Sequence, residues 1–352
     1  MLERISAEPD SSERLFRFAF TGRAADYFRI WIVSLCLSLV TLGVYSAWGK
    51  VRKRRYLYAH TELDGTGFDY RASPMAILRG RILALLLFGG FALSGHFVPV
   101  MQWVFIALLV ALSPWIVVAA ARFNARNSTY RNIAFAFDGR VREAAWVFVG
   151  GAALSLLTFG LAYPWYRMRR ARFIIAHHRY GATPFATDLQ AGGFVLTYLL
   201  AGLMLLGVFT VLMVAGIALS AGAGTETPAE GASIAGLAVI AVVYVAYVVV
   251  YAYIRSRTLN LMADATIIGP MRLRSTLRGR RLAWLYVSNI VAVLATLGLA
   301  TAWATIRVAR YRADNLYARA NAPLETYASG VSPQATATAS EVSDLFDVDV
   351  SL

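Results

Sequence analysis

Apolar residues along this chain come in blocks longer than soluble helices need. Ile82 to Ala121, Phe194 to Ser220 and Ser233 to Ile254 run without a lysine, arginine, aspartate or glutamate, the Glu230 side lying just outside the last. Uncharged runs of about eighteen residues or more read as membrane-spanning helices. They predict full spans at about 80–97, 100–121, 193–219 and 233–254. Three further apolar segments, 30–48, 144–165 and 282–303, are interrupted near their ends by Thr-x-Gly: Thr41 and Gly43, Thr158 and Gly160, Thr296 and Gly298. The stretch before each interruption is short for a span and suits a segment that enters and leaves on one side.

A signature follows each break at the same spacing. It reads Trp48, Arg52, Tyr56, then Trp165, Arg169, Phe173, then Trp303, Arg307, Tyr311. Before the first two copies, Phe16, Phe18, Phe20 with Gly22, and Ile133, Phe135, Phe137 with Gly139, alternate with the period of a strand. Asp64-Gly65 and Gly269-Pro270 have the chemistry of hairpin turns. The order predicts an N-terminal extension (1–14), a first unit (15–131), a second (132–262), a partial third (263–320) and an acidic disordered tail (321–352).

The expected class is thus an α-helical polytopic membrane protein with two and a half internal units and short cytoplasmic β-hairpins. It would have four full spans and three broken, re-entrant segments. Seven conventional spans are the alternative. Arginine-rich linkers flank the broken segments at both ends, whereas the turns at Gly95–Pro99 and 221–232 carry no lysine or arginine. By the positive-inside rule this places all three signatures and both termini in the cytoplasm.

Composition agrees with a bilayer solvent: 58% of residues are hydrophobic and 15% charged, against about 45–50% and 25% in soluble domains. The net charge of +14 lies beside apolar blocks, which points to anionic lipid as the partner rather than nucleic acid. Cys36 is the only cysteine, so neither an intrachain disulfide nor a thiolate metal cluster can form. No nucleophile, phosphate-cradling or metal-ligand motif occurs, and neither a metal nor a cofactor is expected.

Phe18-Ala-Phe-Thr-Gly22, Tyr27 to Trp31, Thr41 to Trp48 and Val51 to Tyr56, continuing to Leu63-Asp-Gly65 and Phe68-Asp-Tyr70, resemble the YjgN-like family of bacterial inner-membrane proteins. The resemblance extends over Glu13 to Ala320 and implies a bacterial inner (plasma) membrane location; the family is a domain of unknown function. The family's asparagine seven residues before the threonine is present as Asn289 but is replaced by Ser34 and Gly151.

The signature residues Trp48, Arg52, Tyr56, Trp165, Arg169, Phe173, Trp303, Arg307 and Tyr311 share one helical face within each copy. They act either as interfacial anchors or as a cytoplasmic vestibule whose arginines hold an anion or lipid phosphate. Three functions follow: small-solute, anion or lipid-related transport or a pore; a scaffold binding anionic lipid and a cytoplasmic partner; or an enzyme acting on lipid head groups. The first leads, because broken segments gathered around a centre are a recurring way of building solute sites.

Overall fold

A computed structural model describes residues 14–97, 99–222 and 229–320. Most of the expected N-terminal extension, the acidic tail and the loop carrying Glu226 lie outside the described residues. The chain runs β1 (Arg14–Phe20), α1 (Ala24–Val40), α2 (Ser46–Ala59), β2 (Thr61–Leu63), β3 (Thr66–Tyr70), α3 (Pro74–Phe97), α4 (Pro99–Arg126), β4 (Ser128–Tyr130) and β5 (Ile133–Phe137). There follow α5 (Val141–Ala144), a π-helical turn (Ala145–Gly150), α6 (Gly151–Leu157), α7 (Tyr163–Ala176), β6 (His178–Tyr180) and β7 (Thr183–Thr187). It continues through α8 (Ala191–Gly222), α9 (Ala229–Asp264), β8 (Thr266–Ile268), β9 (Met271–Ser275), α10 (Gly279–Ala295), α11 (Thr301–Asp314) and β10 (Leu316–Ala320).

The ten strands close into one antiparallel barrel in which each strand pairs with the next and β10 returns to β1. Arg14 faces Ala320 across the closing seam, and Phe18 faces Leu63 on the other side of β1. Four connections are tight turns: Asp64-Gly65, Arg131-Asn132, Gly181-Ala182 and Gly269-Pro270. In the first two both central residues have positive φ, the geometry that matches strand twist. The other five connections are helical hairpins: α1/α2, α3/α4, α5 to α7, α8/α9 and α10/α11. Because strand direction alternates, every helical hairpin leaves the same end of the barrel and every tight turn lies at the opposite end.

This overturns the expected class. The protein is not an α-helical polytopic chain carrying separate β-hairpins in two and a half units; a closed ten-stranded barrel joins all its parts into one circuit. The physical reason is that closure depends on pairing between distant residues, and four strands have only three residues each. Among the described residues, four helices are long and apolar enough to cross a membrane: Pro74–Gly95, Val100–Arg126, Ala191–Ile217 and Gly236–Asp264.

The inward faces of the strands line the lumen with Phe18, Leu63, Phe68, Tyr130, Phe135 and Tyr180. Tyr180 Oη donates to the Tyr130 carbonyl at 3.0 Å, and burial pushes its phenol pKa up to about 12, so it stays a neutral donor.

The neck between barrel and helices is fastened at five places by one kind of bond. A polar side chain on each returning helix donates to a backbone carbonyl where the next hairpin begins. The pairs are Arg55 to Tyr70 (3.3 Å), Arg122 to Gly139 (2.9 Å), Arg172 to Leu189, Asn260 to Leu277 (2.8 Å) and Arg310 to Gly22 (3.0 Å). Hydrogen bonds from charged donors contribute about 1.5–3 kcal/mol each when well formed. Repeated around the ring, they lock the helices onto the barrel rim.

Candidate functional site

Each Thr-x-Gly is the apex of a short helical hairpin. Thr41 Oγ1 donates to the Leu37 carbonyl at 2.7 Å and accepts from the Tyr45 amide at 2.9 Å. Thr158 does the same with Leu154 and Ala162, and Thr296 with Ala292 and Ala300. One hydroxyl therefore bridges the end of the outgoing helix and the residue that precedes the returning one. The next two residues take positive φ: 48° and 92° at Leu42 and Gly43, 50° and 88° at Phe159 and Gly160, 49° and 95° at Leu297 and Gly298. Glycine relieves the second of these strained positions. Leu42, Phe159 and Leu297 project almost fully exposed from the three tips, at 96%, 98% and 95%.

The signature runs down the returning helix from this tip to the neck, and its three members do different work. Trp48, Trp165 and Trp303 lie near the tips. Arg169 and Arg307 sit over the Trp165 and Trp303 rings at 5.2 and 4.9 Å, while Arg52 sits over Tyr45 at 5.9 Å. Arg307 also donates to Ser288 Oγ and Asn289 Oδ1 at 2.7 and 3.1 Å.

The aromatic position lies at the neck. Tyr56 Oη donates to the Arg23 carbonyl and accepts from the Arg23 amide, and Tyr311 repeats both bonds with Arg278. Phe173 has no hydroxyl and packs against Phe137 and Phe148 instead. The axial cavities are lined by none of Arg52, Arg169 and Arg307.

What does reach the axial cavities is Arg312, which lies outside the fixed spacing. Arg312, one residue past the signature tyrosine, lines two cavities where the barrel opens into the helices, of about 350 and 360 Å³. The larger share of their walls is apolar: Ile174, Ile175, Leu259, Met262 and Leu277 on one side, Phe18, Phe68 and Leu316 on the other. A third cavity of about 250 Å³ continues into the lumen past Phe18, Phe68, Phe185 and Leu273, which it shares with the first two. Arg255 on α9 feels the charges of Arg312 and Arg167. The Nε atoms of Arg167, Arg255 and Arg312 are buried without a hydrogen-bond partner among the described residues. Arg167 is also held by the Tyr198 hydroxyl.

His178 lines the same cavity, its Nδ1 2.6 Å from the Ile174 carbonyl. Burial holds its pKa below the usual histidine value, outweighing the Ile174 bond and the nearby Asp138 carboxylate, and the neighbouring His177 lowers it further. A histidine with a depressed folded pKa binds its proton more readily when unfolded. Its stabilising contribution is complete above the unfolded value near 6.5 and is lost as pH falls below it toward the folded value. The melting temperature in detergent is therefore expected to fall between pH 7.5 and 5, and His178→Gln to flatten that fall. An equal pH dependence in both proteins would remove His178 as its source.

The sequence profile of a family described as bacterial protein of unknown function (DUF898) matches residues 16–345. The inner membrane protein YjgN of Salmonella typhimurium is 30% identical over 128 residues, covering 36% of this chain and 32% of that protein. YjgN of Escherichia coli strain K12 is 28% identical over 136 residues, 37% of this chain and 33% of its own. The alignments thus span about a third of these curated relatives. No solved structure matches the chain. With the profile covering nearly all of it, and four helices of membrane-spanning length and apolarity, the chain belongs to this DUF898 family of bacterial proteins of unknown function.

Proposed function

We propose that the protein is a bacterial inner-membrane protein that takes amphipathic lipid from the cytoplasmic leaflet into its axial cavities, as a lipid-handling or lipid-transport protein. The observation that carries this reading is the chain of apolar cavities along the axis with Arg312 at their junction. Aromatic side chains line the lumen beyond it, and such apolar walls favour a lipid guest over a continuous aqueous pore. Cavities of about 300–1,000 Å³ with few polar groups suit small amphiphiles.

In this reading the barrel and residues 14 and 320 lie on the cytoplasmic side, in keeping with the arginines around the rim and the inner-membrane location of the relatives. The long helices cross the bilayer. The fourteen-residue returning helices of the short hairpins rise about 21 Å, less than the hydrocarbon thickness of about 30 Å, so their apolar tips would end inside it.

Reconstitution separates lipid handling from pore formation. Proteoliposomes are expected to hold an ion gradient as well as empty vesicles, while the purified protein retains phospholipid through repeated detergent exchange. Rapid ion leakage together with complete loss of lipid would refute the reading.

A further inference from the structure

Resting on that reading, we propose that Arg312, with Arg255 and Arg167 beside it, seats the phosphate head group of an anionic amphiphile whose acyl chain lies along the adjoining apolar cavity. Four observations support it. Arg312 belongs to the walls of both axial cavities, so this residue stands where they meet. Arg255, Arg167 and Arg312 come from α9, α7 and α11, three helices of different hairpins, and lie close enough for their charges to interact. No described carboxylate pairs with any of the three. Their Nε donors are buried without a hydrogen-bond partner among the described residues.

Like charges gathered in partly buried space are unfavourable unless an anion joins them. Guanidinium groups match phosphate oxygens through paired, charge-assisted hydrogen bonds. The apolar wall beyond them, with Ile174, Leu259, Met262, Leu273 and Leu277, gives a free inorganic anion nothing to bury but removes an acyl chain from water. Head group and chain are therefore recognised by adjacent surfaces of one site. This also separates the site from the arginines of the repeated signature. Arg52, Arg169 and Arg307 already lie over aromatic rings, and Arg307 is satisfied by Ser288 and Asn289.

The test uses the full chain, freed of lipid by detergent exchange, titrated with dioctanoyl phosphatidylglycerol, dioctanoylglycerol or inorganic phosphate and read by native mass spectrometry. The wild type is expected to bind the phosphatidylglycerol more tightly than the neutral dioctanoylglycerol, and inorganic phosphate least. Arg312→Gln should weaken phosphatidylglycerol by about 10–100-fold, the loss typical of hydrogen bonds to a charged group, and leave dioctanoylglycerol unchanged. Arg255→Gln gives the same reading should Arg312→Gln fail to fold, with the melting curve as the check on folding. Equal phosphatidylglycerol affinity in wild type and folded variants would overturn the head-group seat while leaving the cavity reading intact. Wild-type protein that binds neither lipid would overturn both. Inorganic phosphate binding as tightly as phosphatidylglycerol would reassign the site to a free anion and overturn the amphiphile.

Discussion

Gly151→Asn is expected to destabilise the protein by about 1–3 kcal/mol, and Tyr166→Ala in the same chain to recover much of that loss. The position seven residues before each Thr-x-Gly threonine is where the two helices of a short hairpin cross. In the first hairpin Ser34 meets Gly49, where an added Cβ would stand 2.8 Å from Ser34 Cβ. In the second a Cβ on Gly151 would stand 2.5 Å from Tyr166 Cδ2. In the third Asn289 Nδ2 donates to the Ala304 carbonyl at 3.4 Å while its Oδ1 accepts from Arg307.

Large thus meets small at every crossing: serine on glycine, glycine on tyrosine, asparagine on alanine. The missing asparagine in two hairpins is a packing exchange between facing positions. Tyr166 is further held beneath Arg170, whose guanidinium lies 5.4 Å from its ring, so it cannot swing away freely. Thermal melting in detergent of the two single variants and the double variant measures the coupling. Additive losses would show that the side chains do not share one site.

The sequence makes the apolar spans and the hairpin apices legible, because each depends on neighbours along the chain. Thr41 and Gly43 act on residues within five positions of themselves, and spacing alone reveals such a device. The barrel is hidden for the opposite reason. Phe16, Phe18 and Phe20 alternate visibly, but Thr61–Leu63 and Thr266–Ile268 are too short for a period to register, and β1 finds its partner in β10 at the far end of the chain.

Arg52, Arg169 and Arg307 recur at fixed spacing, each beside an aromatic ring, whereas Arg312, which lines the axial cavities, and Arg255 recur nowhere. One signal did exist: Arg255 closely follows a long apolar run, where a charge is unfavourable and marks function by default. The two tyrosines of the signature fasten the neck, and a hydroxyl bridging an amide and a carbonyl thirty-three residues away leaves no trace in local spacing.

Tyr130→Ala should open the barrel while leaving the helices in place. Tyr130 is 5% exposed, its hydroxyl donates to the Leu63 carbonyl at 2.8 Å, and its ring lies 4.7 Å from Phe68. Its own carbonyl accepts from Tyr180, so one residue ties β2, β3, β4 and β6 together from inside. Truncating a buried aromatic costs about 3–5 kcal/mol. Tyr130→Phe keeps the packing and strands one carbonyl, for about 1–3 kcal/mol. A closed barrel has no edges until one seam fails, and a failed seam exposes two at once, so the loss should spread around the sheet. The long helices are stabilised by the bilayer and by their own backbone hydrogen bonds, and need no barrel to remain helical. Hydrogen exchange in lipid nanodiscs is therefore expected to show lost protection across β2 to β6 in Tyr130→Ala, with α3, α4, α8 and α9 protected as in the wild type. Loss confined to β4 would mean that the strands are stabilised singly by the helices above them, and that lumen packing is not what closes the barrel.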